Sequence, residues 1–246
     1  MKSFTLSLTR YTILLCSILF TSASYSQTAD FNVQHVEDNI GNSGGSASIT
    51  AVSSLNNAFA LANNNRKVNA GLPGSGSNLP ADDLSGARVL TATGTLSYYR
   101  QAGSDASNMR FNSSVWDYVG PVGGVNEMIV RNRYVVTLNG TTNSTTVNIT
   151  GAGVANANKC IPFITGILTN SSAAGADSGT AVAYLENATT LRVQKGTNAN
   201  NVTVYITLVE FTGSNWTVLH GDSGNTAGDN GSITLRSNAD GTGTAT

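Results

Sequence analysis

The sequence predicts an all-β fold, two antiparallel β-sandwich modules in tandem followed by a partial third. Three observations carry that prediction. Apolar stretches are short, rich in β-branched and aromatic residues, and bounded by Gly/Asn/Ser clusters, the pattern of strands between turns. Helical periodicity is confined to one segment. The chain also resembles itself at a fixed spacing, and an internal repeat decides an architecture before any single element does.

The opening residues, MKSFTLSLTRYTILLCSILFTSASYSQ, carry Lys2 and Arg10, an apolar run from Tyr11 to Phe20, then small and polar residues with no acid before Asp30. That is the layout of a secretory signal peptide, residues 1–26, cleaved between Ser26 and Gln27. The apolar run falls well short of the ~20 residues that cross a bilayer. The expected mature chain is therefore exported and soluble, and the leader has a bacterial look. Losing the leader removes Cys16 and leaves Cys160 as the single thiol. No disulfide then forms within one chain, so packing must supply the stability. Cys160 reads as a small buried hydrophobe.

Residues 52–66, VSSLNNAFALANNNR, place Val52, Leu55, Phe59 and Ala62 at spacings of three and four, which predicts a short helix or turn. Everything after it reads as strands: ARVLTATGTLSYYRQ, SVWDYVG, NEMIVRNRYVVTLNG, STTVNITG, CIPFITGIL, TAVAYLEN, TTLRVQK, NVTVYITLVEF, NWTVLHG and SITLRS. In NVTVYITLVEF, Val202, Val204, Ile206 and Leu208 hold one parity while Thr203, Tyr205 and Thr207 hold the other. This is a half-buried strand, with Val209 and Phe211 making its far end apolar on both faces.

Shifting the sequence by 93 lays LANNNRKV (61–68) on VANANKCI (154–161), GSDASNM (103–109) on GTNANNV (196–202) and VWDYVG (115–120) on LVEFTG (208–213). Both histidines share a second motif: FNVQH (31–35) and WTVLH (216–220) each precede an acidic, Asn/Gly-rich stretch. The expected division is a first module over 27–120, a second over 121–213, and at 214–246 a partial third module or strand-donating tail. The tail is too short for an independent core, whose practical floor is ~40 residues. A histidine that recurs at module starts reads as a framework position rather than a metal ligand or catalytic base.

Charged residues make up 11% of the chain and the formal net charge is −1. No basic cluster accumulates, which excludes an electrostatic footprint for nucleic acid or for a membrane surface. HExxH, the Gly-x-Ser-x-Gly elbow and a phosphate loop are all missing from the sequence, so a non-enzymatic protein is expected. Glu127, Glu186, Asp117 and Glu210 are the carboxylates a glycoside hydrolase would need. Asp117 and Glu210, however, stand at the same repeat position, which favours acceptance of backbone hydrogen bonds at a strand end. Calcium is the one cofactor the sequence leaves open, through EDNIGNSGG (37–45) and GDSGNTAGDNG (221–231), loops whose carboxylates and carbonyls suit a hard cation. Ordinary turn chemistry explains the same residues. A sugar platform would draw on Tyr98, Tyr99, Trp116 and Tyr118, with Asp117 and Asn112 nearby. Against it, Trp116 and Tyr118 share a parity that can point into the core.

The segment 159–211, KCIPFITGI through NVTVYITLVEF, resembles the strand pattern of the H-type lectin fold and of phage fibre sandwiches. Its last strand lacks the Trp-x-Ala ending of that lectin family, so no sugar-contacting residue is carried over. The leader, the repeated [VL]x[DE][YF]xG and the module-start motif resemble tandem β-sandwich modules of bacterial secreted surface and adhesin-like proteins. That resemblance implies a structural or adhesive element of the cell surface or an extracellular assembly, associating with copies of itself or other surface proteins through strand edges. The alternative it implies is a carbohydrate-binding module that takes glycans.

Overall fold

A computed structural model of the chain describes residues 29–41, 43–67, 85–101, 108–170, 180–196, 200–221 and 235–239. The leader and nearly all of the second acidic loop lie outside the described residues. Within them no helix is long and apolar enough to cross a membrane.

The fold is all-β. Among the described residues twelve strands follow in order: β1 Phe31–Ile40, β2 Gly45–Ser48, β3 Ala58–Lys67, β4 Gly86–Ala92, β5 Thr95–Arg100, β6 Met109–Tyr118, β7 Ile129–Leu138, β8 Ser144–Asn148, β9 Cys160–Thr169, β10 Ala181–Asn187, β11 Thr190–Lys195 and β12 Val202–Glu210. They form three sheets, ordered β1-β6-β3, β2-β5-β4-β9-β12-β7 and β10-β11-β8. Every named strand pair is antiparallel.

Side-chain alternation decides how the sheets stack. Ile40, Ala58, Ala60, Leu90, Leu96, Tyr98, Met109, Phe111 and Val115 form one core, between β1-β6-β3 and the β2-β5-β4 end of the long sheet. Val136, Leu138, Leu185, Leu191, Val193 and the Val202, Val204, Ile206, Leu208 row form another, between the β9-β12-β7 end and β10-β11-β8. The parity read for β12 is the parity observed. A third core, rich in aromatic rings, gathers Phe59, Tyr118, Met128, Val130, Val209 and Phe211, with Phe31, Leu61, Trp116, Phe163 and Trp216 packed against it. It draws on both the first and the last strands of the chain.

One pattern of pairing occurs twice. The order β1-β6-β3 recurs as β7-β12-β9, and β2-β5-β4 recurs as β8-β11-β10. The irregularities recur too. A bulge in β3 between Ala62 and Asn64 lies against Ser113 and Asn112. The bulge in β9 between Ile164 and Gly166 lies against Ile206 and Tyr205, the residues at the same β12 positions. The shift between Leu90 and Ala92 in β4 returns between Leu185 and Asn187 in β10. Single hydrogen bonds are copied as well: Ile49 N–H to Gly94 O (3.0 Å) and Ile149 N–H to Thr189 O (2.9 Å), Tyr118 N–H to Asn57 O and Phe211 N–H to Lys159 O (both 2.9 Å).

These pairings revise the ungapped shift of 93. Between β6 and β12 it holds, since Met109 matches Val202 and Tyr118 matches Phe211. Strand β3 matches β9 at a shift of 102, Ala58 to Cys160, because each of these residues faces the corresponding acid, Asp117 or Glu210. Strands β4 and β5 match β10 and β11 at 95, Leu90 to Leu185 and Leu96 to Leu191. LANNNRKV therefore does not correspond to VANANKCI, most of which is a loop holding one 3-10 turn, Ala157–Lys159. Loops of unequal length move the register between strands while leaving it fixed within them.

Of the short helix or turn expected over 52–66, the structure shows the turn, which leads straight into β3. Ala58 and Ala60 face the first core while Phe59 and Leu61 face the aromatic core. A strand apolar on both faces loses the alternation that marks a strand in sequence. NWTVLHG and SITLRS form no named strand either. What the described residues show there is one antiparallel bridge, His220 to Arg236.

Candidate functional site: a sheet seam and its open counterpart

The long sheet is continuous because β4 pairs with β9 through two residue pairs, Gly86–Ile167 and Ala87–Gly166. Following the register across that seam gives one row on one face: Tyr99, Ala87, Gly166, Tyr205, Val135. The centre of the row is small for a steric reason. A Cβ on Gly166 would lie 2.1 Å from Ala87 Cα and 2.4 Å from Gly86 O, so the two backbones approach closely only because position 166 has none. Strands stand ~4.8 Å apart, which puts Tyr99 and Tyr205 three spacings from each other at the backbone. The two rings nevertheless stack, with centroids 5.0 Å apart and planes 22° from parallel. They lean together over the gap that Ala87 and Gly166 leave. Burial, then the neighbouring Tyr99, pushes the Tyr205 phenol above its usual pKa. Tyr99 is 37% exposed and Val135 60% exposed, so this row reaches solvent.

Of the four aromatic residues singled out from the sequence, the structure leaves Tyr99 with an exposed ring. Tyr98 is buried in the first core against Phe111, ring centroids 4.8 Å apart. Tyr118 is buried in the aromatic core and donates its hydroxyl to Pro121 O at 2.7 Å. Trp116 is half-buried beside Phe31. The three are held by packing, and the residue that stacks on the exposed Tyr99 is the half-buried Tyr205. Parity placed Tyr205 on the solvent side of its strand. No sequence signal linked it to Tyr99, because the link runs across four strands.

The carboxylates are engaged in structure. Asp117 accepts Ser53 N–H at 2.8 Å, and Glu210 accepts Ala155 N–H at 3.0 Å, Asn156 N–H at 2.6 Å and the Arg131 guanidinium at 2.7 Å. Both do what their shared repeat position implied. Glu127 accepts the Thr212 hydroxyl and Gly123 N–H, which hold its pKa below the ordinary value. Glu186 pairs with Arg192 at 2.6 Å. The histidines sit in different settings. His35 lies in β1 with Nδ1 3.0 Å from Ser114 Oγ, and His220 places Nε2 3.0 Å from Asn158 O. Among the described residues, no three His, Cys, Asp or Glu side chains cluster as a metal site.

The seam has an open counterpart. Strand β10 stands where β4 stands and β3 where β9 stands, yet both are sheet edges among the described residues. On β10 the residue matching Ala87 is Val182, 55% exposed, and Tyr184 beyond it is 40% exposed. Ala87 itself is fully buried by the strand that has docked beside it.

The chain matches no family model, no curated protein and no solved structure.

Proposed function

We propose that this is a secreted, non-enzymatic structural or adhesive β-sandwich protein of the cell surface or of an extracellular assembly. The observation that carries the reading is the seam. One six-strand pattern already extends the sheet of another, edge to edge, with an aromatic core bracing the join. Sheet edges are templates for further pairing, and a low-charge chain with a secretory leader suits an extracellular setting. The test is immunogold labelling of producing cells with an epitope-tagged chain. Label outside the cytoplasmic membrane, and loss of surface attachment on deletion, are expected; label confined to the cytoplasm would overturn the reading.

A carbohydrate-binding role is the second reading, and the exposed Tyr99, stacked on the half-buried Tyr205, favours it, since sugars stack on aromatic faces. A glycan array comparing the chain with Tyr99→Ala decides it. Binding that falls with the substitution supports the role, and no binding by either form removes it.

A further inference from the structure

We infer that the free edge of β10 docks strand β3 of a second copy of this chain, so that copies join head to tail. This deepens the structural reading above and rests on it. Within one chain, β4 pairs with β9 at Ala87–Gly166 and Gly86–Ile167. Carrying those positions through the repeat gives Val182 and Ala181 on β10, and Asn64 and Asn65 on β3. Both strands are edges among the described residues. The intermolecular register is therefore Val182–Asn64 and Ala181–Asn65, antiparallel as at the seam.

The occupant is β3 of another copy and not a second β10, because the strand beside β4 is β9, the repeat partner of β3. A contact between two different edges of the same chain is heterologous. It leaves one β10 and one β3 free at the ends and so grows by adding copies, into an open filament or, where the rotation closes, a ring. The character of the edge agrees: Val182 and Tyr184 face solvent, no proline interrupts the strand, and its one charge, Glu186, is paired with Arg192 rather than left to blunt the edge.

The intermolecular join is weaker than the seam it copies. Gly166, whose missing Cβ lets the backbones close up, is replaced by Asn64, and Ala87 by Val182. Gln194 and Asn112 stand where Tyr99 and Tyr205 stack. The copies therefore meet at ordinary strand spacing without an aromatic clasp, and association is reversible and concentration-dependent.

Sedimentation velocity across a concentration series tests this, on the chain and on Val182→Lys, whose fold is checked by circular dichroism. Stepwise growth beyond a dimer is expected for the chain, with Val182→Lys weakening association about tenfold in Kd or more, the scale of one good contact. Cysteine cross-linking fixes the register in a background carrying Cys16→Ser, where Cys160 is buried. Mixing Val182→Cys with Asn64→Cys should give mixed disulfide dimers, and neither alone should. Dimers of Val182→Cys alone would mean closed β10–β10 pairing and would overturn the inference, as would a monomer at every concentration. A monomer found outside the cell leaves the surface reading standing. Mixed dimers from a chain confined to the cytoplasm overturn that reading and keep the register.

Discussion

At single residues the seam makes a sharp prediction. Gly166→Ala forces a methyl to 2.1 Å from Ala87 Cα, a backbone atom that cannot swing away. Overpacking of this kind costs about 1–3 kcal/mol, and the urea midpoint should fall accordingly. Gly151→Ala, where an added Cβ meets nothing within 4 Å, should leave it nearly unchanged. A second prediction concerns Glu210, which is buried and takes two backbone N–H groups and Arg131. Removing one partner of a buried pair strands the other, so Glu210→Ala should cost about 3–5 kcal/mol in the same melt. Cys160 sits at the start of β9, where burial, then the nearby Glu210 carboxylate, pushes its thiol up to about 12. With Cys16→Ser in place, a thiol reagent at pH 8 should react only after denaturant is added, since the thiolate is the nucleophile. Rapid labelling of the native chain would refute that burial. At this scale the sequence was informative where chemistry and position coincided, as for Asp117 and Glu210. It was silent on Tyr205, whose partner is fixed by a row that no local pattern contains.

Among the elements, β12 was legible from its alternation, whereas β1 and β2, read only as a module-start motif and a possible calcium loop, and β3, packed on both faces, were not. β12 alternates Val, Ile and Leu with Thr and Tyr because one side packs in a core, while on the other Thr203 and Tyr205 keep partial exposure and Thr207 is buried. AFALA at the start of β3 packs on both sides, small alanines toward the first core and Phe59 with Leu61 toward the aromatic one. Its spacing then mimics a helix. The repeat was legible in the same partial way. One shift holds across β6 and β12, whose lengths are fixed by pairing on both sides, whereas loops around β3 and β9 differ and displace the match. The role of β3 as a two-sided strand is testable. Phe59 stacks on Phe163 with centroids 5.1 Å apart, and Phe59→Ala should lose about 3–5 kcal/mol. On a helix end the same change would cost far less. Val122→Ala, at a residue 96% exposed, serves as the control and should not move the midpoint.

For the whole molecule, the shared sheet and the shared aromatic core bear on how the chain unfolds. Two sandwich cores joined by a flexible linker would melt as separate bodies, each with its own transition. Here the β4–β9 pairing runs one sheet through both, and the third core takes Phe59, Trp116 and Tyr118 from the early strands and Val209, Phe211 and Trp216 from the end of β12 and the segment that follows it. Opening either sandwich alone would expose that third core to water, so its burial free energy couples the two, and all-or-none behaviour is the expected outcome. Nature has placed the reporter conveniently: the chain has two tryptophans, Trp116 and Trp216, and both pack in this third core, each against Phe31. Tryptophan emission thus reads the join while far-ultraviolet circular dichroism reads the strands. In urea the two curves should coincide, with one midpoint. Phe59→Ala, which thins the join without touching the seam pairing, should separate them, the emission curve moving to lower denaturant first. Curves already separate in the unaltered chain would mean that the join is a contact between independently stable bodies. The aromatic core would then add little to the stability of either.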